Sequence, residues 1–321
     1  MRTSIRRKHS FLAGLLALAL ALTACAPDVG DDDEAATEEP IRLAANPWPG
    51  SFANAAVAKV IMEDELDLNV EIVEIDQTAQ WPGLSEGEID AALEVWVDSG
   101  QREEMEEYVE RGTIEEIGPL GAIGLIGWFT PSYVLDEYPE FETWEGLEGN
   151  EHVFDTPETS GDSGQFLAAD PSFTQRDEHI IENLGLDLQV IQSGSEAAQL
   201  TEVESAIDNE EPILFYFYTP HWAFNQWDLS EIELPEPTEE CLELPEEERD
   251  CGYPDDVLAK VVNTDLEEKS STAYQFIDNF HMENEWQDEL TFMIDVEEMD
   301  PVDAARAWLS ENEDRWQEWL P

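Results

Sequence analysis

Ile41-Arg42-Leu43-Ala44-Ala45-Asn46-Pro47-Trp48-Pro49-Gly50-Ser51 opens the stretch, residues 41–96, whose reading decides the fold. Ile41 to Ala45 has the length and composition of a short strand, and Asn46 to Gly50 is a turn fixed by two prolines and a glycine. Ser51 is then expected to cap a helix carrying Ala55, Val57, Val60, Ile61 and Leu66 at mixed three-and-four spacing. Val70 to Ile75 alternates as a second strand, a helix is expected near Ala79 to Glu86, and Glu88 to Trp96 runs back into the sheet. Strand, helix, strand, helix, strand in so short a span implies a parallel sheet with helices on its faces.

Working outward, Gly121 to Phe129 is apolar and glycine-rich without a helical period, so it reads as a strand passing into a second unit. That unit is expected to hold a strand at His152 to Asp155, a loop at Thr159 to Gln165, and helices near Arg176 to Leu184 and Ser195 to Asp208 around a strand at Leu188 to Gln192. It closes with the apolar strand Pro212 to Phe215 and the run Tyr216-Phe217-Tyr218-Thr219-Pro220-His221-Trp222. From Asp228 the chain is irregular, Asp256 to Val262 is expected to rejoin the first sheet, and Thr272 to Phe280, Glu283 to Ile294 and Pro301 to Trp316 are amphipathic helices. The expected architecture is α/β with two lobes, 41–125 and 126–225, a return to the first lobe over 226–321, and a ligand cleft between them.

Residues 1–25 read as a targeting segment: Arg2, Arg6, Arg7 and Lys8, an apolar run from Phe11 to Leu22, then Leu22-Thr23-Ala24-Cys25. That tetrapeptide resembles the lipobox of bacterial lipoproteins, which implies an acylated Cys25 and anchorage on the extracytoplasmic face of the cell membrane. Residues 26–40, with Asp31-Asp32-Asp33-Glu34, read as an acidic tether. The formal charge is -63, from 14 basic and 77 acidic residues; removal of four basic residues with the leader gives 10 minus 77, or -67. Such a surface repels phosphate, which excludes nucleic acid as a partner. Self-repulsion of this size is relieved by salt, so a concentrated-salt environment is expected. Cys241 and Cys251 are expected to form a disulfide across a short acidic loop, and no second cysteine pair or nearby histidine completes a metal site. No phosphate-binding Gly-Lys-Ser/Thr loop or zinc-binding His-Glu-x-x-His pattern occurs, and no cofactor is expected.

Rings cluster at the predicted strand ends. Aromatic faces present negative quadrupole density, so several together hold a quaternary ammonium that has no N–H to donate. Trp48 after its turn, Trp96 at a strand end, Tyr133 in Pro131-Ser132-Tyr133, and Tyr218 before Pro220-His221-Trp222 form a set. In this order and spacing the set resembles the substrate-binding proteins of glycine betaine, proline betaine and choline ABC transporters. The resemblance implies a two-lobed, type II periplasmic-binding-protein fold that closes on a small quaternary ammonium ligand and delivers it to a permease and ATPase supplied in trans. It implies a cage of Trp48, Trp96, Tyr133 and Tyr218, with main-chain N–H groups at Gly50 and Ser51 for a ligand carboxylate. His221 is an additional donor, and Gln165 reaches the ligand's polar end from the second lobe. Choline-specific relatives place an acid two positions after the first tryptophan; here that position is Gly50, which favours a betaine over choline, with a choline or carnitine receptor of the same fold as the alternative. The competing enzyme reading rests on Gly161-Asp162-Ser163-Gly164, as around the nucleophile of trypsin-like proteases, but Gln165 replaces the next glycine and the β-barrel pattern is absent.

Overall fold

The structure, a computed structural model, describes residues 39–159 and 163–321. The leader, Cys25 and nearly all of the tether lie outside the described residues. Strands β1 (Ile41–Ala45), β2 (Val70–Glu74) and β3 (Ala91–Val95) form the expected parallel trio, with β1 paired to both others. The helix Pro49–Asp64 makes the first crossover and is buried on nearly every side. Its alanines, Ala53, Ala55, Ala56 and Ala58, let the sheet approach on one side and the helices Asn284–Asp295 and Pro301–Glu311 on the other. Its N-cap is Trp48 rather than Ser51. Ser51 Oγ instead accepts the Asn46 N–H at 2.9 Å, pinning the preceding turn.

Strand β4 (Ile114–Pro131) holds the two halves of the sheet together. Its first half pairs antiparallel with β9 (Asp256–Asn263), and its second half with β7 (Phe215–Thr219) and β8 (Leu229–Ile232). Strands β5 (Gly164–Ala168) and β6 (Leu188–Gln192) are parallel neighbours beyond β7, giving the order β2-β1-β3-β9-β4-β7-β5-β6 with β8 on β4. Gly118 and Gly121 have φ of 120° and 116°, and the β4–β9 register shifts on either side of Pro119. Those left-handed conformations suit glycine and let one strand serve two differently directed halves.

The return of the chain through Asp256–Asn263 occurs as expected, and it inserts as β9 between β3 and β4. Two local expectations are corrected. Residues 152–155 do not form a strand: Glu151–Phe154 is a 3₁₀ turn that drives Phe154 against Phe141 at 5.6 Å between ring centroids. Residues 164–165 are not loop but open β5, whose five residues are all buried. Cys241 and Cys251 are disulfide-bonded. Because this bond closes a short loop, reducing it or replacing Cys251 by serine is expected to cost about 2–3 kcal/mol, read as a lower urea midpoint; an unchanged midpoint would contradict the entropy argument.

Candidate functional site

The carboxyl ends of β1, β3, β5 and β7 converge, and each delivers an aromatic side chain to one narrow cavity of about 20 Å³. Trp48 follows β1, Trp96 follows β3, Phe173 follows β5, and Tyr216 and Tyr218 lie on β7. Tyr216 and Tyr218 share a face of their strand because side chains alternate with period two, whereas Phe215 and Phe217 point into the opposite core. The rings meet as walls: Trp96 stands at 87° to Tyr218 with centroids 5.6 Å apart, and Trp48 at 88° to Phe173 at 5.5 Å. Ile126, Gln77 and Thr174 complete the lining, with Gln77 Nε2 donating to Thr174 Oγ1 at 2.8 Å. No lysine, arginine or histidine side chain lines this cavity among the described residues.

Behind the tryptophans lies Glu94, 2% exposed. Its Oε1 accepts from Trp48 Nε1 at 2.6 Å and Trp96 Nε1 at 3.0 Å. Its Oε2 accepts from Asn54 Nδ2 at 2.6 Å and Gln287 Nε2 at 3.0 Å. Burial pushes the carboxyl up to about 7, although all four hydrogen bonds pull the other way. A second carboxylate backs the other side: Glu196 Oε2 accepts the Tyr218 hydroxyl at 2.6 Å. His221 Nδ1 accepts the Ala223 N–H, so its Nε2 carries the proton and donates to Glu196 Oε1 at 3.3 Å. Glu196, His221 and Asp295 lie close together, but that tautomer aims an N–H, not a lone pair, at the group, and Asp295 already accepts from Trp222 Nε1 at 2.8 Å. The donor set does not suit a metal ion.

Several expectations move. Tyr133, on the helix Ser132–Glu137, is outside the cavity: its hydroxyl donates to the Glu211 carbonyl at 2.7 Å and reaches the Ala206 carbonyl at 3.3 Å, and Tyr216 is the ring found in the cavity instead. Gln165 is turned away on β5, bonded to Thr156 and to Glu202 at 2.7 Å each. His221 packs behind Tyr218, at 5.4 Å between rings, rather than lining the cavity. Gly50 and Ser51 are buried at the helix start, but a β-carbon at Gly50 would collide with Gln287 and come within 3.0 Å of Glu94 Oε2. Position 50 thus has no room for an acidic side chain, and the nearby acid, Glu94, stands behind the tryptophans rather than in the cavity lining. Ser163 Oγ donates to Asp187 Oδ1 at 2.6 Å, so it is paired with an acid, not with an imidazole base. Tyr216 lies two residues before Tyr218, and period two was the signal for it; Glu94, an acid inside a strand buried at every position, carried none. Nothing in Pro171-Ser172-Phe173 marks Phe173.

Residues 39–311 match the family model described as the substrate binding domain of ABC-type glycine betaine transport systems. The chain is 25% identical over 300 residues to the trimethylamine N-oxide-binding protein of Pelagibacter ubique (strain HTCC1062), covering 89% of this chain and 92% of that protein. Among solved structures, it is similar to the glycine betaine/L-proline-binding protein of Borrelia burgdorferi (TM-score 0.72, 21% identity, 88% of this chain and 97% of that one). It is also similar to lactococcal OpuAC in its closed, glycine betaine-bound form (TM-score 0.70, 18% identity, 88% and 100%).

Proposed function

Because the chain belongs to the family of substrate-binding domains of ABC-type glycine betaine transport systems, we propose that it holds the trimethylammonium head of glycine betaine, or of a related quaternary amine, among Trp48, Trp96, Tyr216, Tyr218 and Phe173. The members of that family are binding proteins of transporters; the permease and ATPase come from other chains. The observation that carries the reading is the convergence of five rings from four strand ends on one cavity without a cationic side chain. Each ring face contributes about 0.5–2 kcal/mol to holding a desolvated cation, enough in sum for micromolar affinity after closure costs. Calorimetric titration with glycine betaine, proline betaine, carnitine and choline in high salt is expected to give saturable micromolar binding for at least one; four blank titrations would end the proposal.

A second reading within the same class rests on Glu94. A carboxylate behind the tryptophans opposes a ligand carboxylate and favours a head group without one. Choline then outranks the betaines, and the same titration separates the two.

Gly124, on β4, backs the Trp96 ring, and a β-carbon there would overlap its six-membered edge. Its φ is ordinary, so Gly124→Ala is expected to keep the fold while tilting Trp96, weakening binding by about tenfold, or about 1.4 kcal/mol. Unchanged affinity with an unchanged circular dichroism spectrum would show that the ring position is not critical.

We further propose acylation at Cys25 and extracytoplasmic anchorage there; no helix among the described residues is long and apolar enough to cross a membrane. Labelled fatty acid incorporated by the full chain but not by Cys25→Ser is the expected result. The charge of -63 supports a working environment of concentrated salt, where the melting temperature is expected to be higher than in dilute buffer.

A further inference from the structure

The four contacts of Glu94 share one property: Trp48 Nε1, Trp96 Nε1, Asn54 Nδ2 and Gln287 Nε2 are all neutral groups that can only donate. A protonated carboxyl would have to place its own hydrogen against one of them, so the pocket is built for the anion. Yet among the described residues no cation offsets that anion's removal from water. The charged neighbours on the helix Asn284–Asp295 face elsewhere, Asp288 toward His221 and Asn225, and Asp295 toward Trp222. The helix Pro49–Asp64 turns Asn54 to Glu94, and the Tyr218 hydroxyl, which feels the Glu94 charge, already donates to Glu196. A buried carboxylate without a counter-ion is among the costliest arrangements a fold can keep.

We propose that Glu94 is a specificity-determining residue whose negative charge, standing behind Trp48 and Trp96, is neutralised by the cationic head of the ligand, so that the cavity selects charge and not only shape. The inference rests on the quaternary-amine reading of the cavity and deepens it. Its physical basis has two parts. The charge acts directly on the ligand nitrogen through a low-dielectric site. Both indole N–H groups also donate to the same oxygen, which pushes electron density toward the ring faces that meet the cation. Glu94 thus also positions the two rings relative to each other.

A linkage follows with a definite sign. The carboxyl stands at about 7 in the empty protein, raised by burial above 4.5. A bound cation favours the ionised form and lowers it, so ligand affinity rises with pH across that window and binding near neutrality releases protons. Affinity changes by a factor of about ten for each unit by which the ligand lowers the carboxyl.

The test uses glycine betaine and 3,3-dimethylbutanoate, which has the same shape with an uncharged tertiary carbon in place of nitrogen. Wild-type protein is expected to prefer the betaine by about 100-fold or more, and Glu94→Gln to narrow that ratio by about tenfold or more. Calorimetry at pH 7 in two buffers of different ionisation enthalpy is expected to show release of roughly half a proton by wild-type protein, a reading that needs no variant. An unaltered ratio, or no proton release, overturns the proposal. A third arm needs no ligand: the melting temperature of the empty wild type is expected to fall relative to that of Glu94→Gln between pH 5 and pH 8, as the unpaired charge appears. A parallel course of the two would reduce Glu94 to a structural bracket and overturn the inference. If neither compound binds wild-type protein while this thermal difference is present, the quaternary-amine reading fails and the unpaired anion stands.

Discussion

A Trp96→Ala variant is expected to bind glycine betaine at least about 100-fold more weakly than the wild type, a loss of about 2.7 kcal/mol. One ring face over a desolvated cation supplies up to about 2 kcal/mol of that. The remainder comes from what the indole holds in place. Its Nε1 is one of the two donors on Glu94 Oε1, its edge meets Tyr218 at 5.6 Å, and its six-membered ring fills the space over Gly124. Alanine removes all three, admits water to the cavity, and leaves Glu94 Oε1 with Trp48 alone. Trp144 is the control: it sits at a 3₁₀ turn and does not line the cavity, and Trp144→Ala is expected to leave the dissociation constant within threefold. Titration of the three proteins decides the matter. Retention of wild-type affinity by Trp96→Ala would mean that the cavity of five rings is not where the ligand sits.

What could be read from the sequence follows the reach of each local signal. The parallel trio was legible because Val70 to Glu74 alternates and because Asn46-Pro47-Trp48-Pro49-Gly50 can only be a turn. That same turn placed Trp48 at a strand end, and the alternation that ends at Trp96 placed the second tryptophan. Strand β5 escaped because all five of its residues are buried, so no polar face marked it. Gln165 was read as the end of a loop, where no alternation assigns a side chain to a face, whereas on β5 it is bonded to Thr156 and Glu202. Tyr133 shows the limit for helices: on the short helix Ser132–Glu137 its direction depends on the partner it meets, here the carbonyls of Ala206 and Glu211, more than 70 residues away in sequence. Glu94 is the instructive case. An acid inside an apolar strand looks like an exposed edge position, and only the four donors converging from the helices Pro49–Asp64 and Asn284–Asp295 and from the two tryptophans reveal it as buried.

The largest stability effect is expected at Trp128, which does not touch the cavity. Its side chain is fully buried on β4, packed on Phe166 at 4.8 Å, and its Nε1 donates to Asp177 Oδ1 at 2.7 Å. Trp128→Ala is expected to cost about 4 kcal/mol, from the lost apolar burial and the void left behind. Asp177 makes that cost depend on pH. Burial holds its carboxyl up at about 6, above its ordinary 3.8, so the folded state is penalised for the ionised form above pH 6 and relieved of that penalty as pH falls toward 4. The indole N–H favours the ionised form, so deleting it raises the carboxyl further. The destabilisation is therefore expected to be greater at pH 8, where Asp177 is charged, than at pH 5, where it is protonated. The site would register the change as well, because Trp128 is the cross-strand partner of Tyr216. Urea titrations of wild type and variant at both pH values provide the measurement. Equal losses at the two would mean that the Trp128–Asp177 bond is indifferent to charge, and a loss under about 1.5 kcal/mol would mean that the surrounding core collapses to fill the gap.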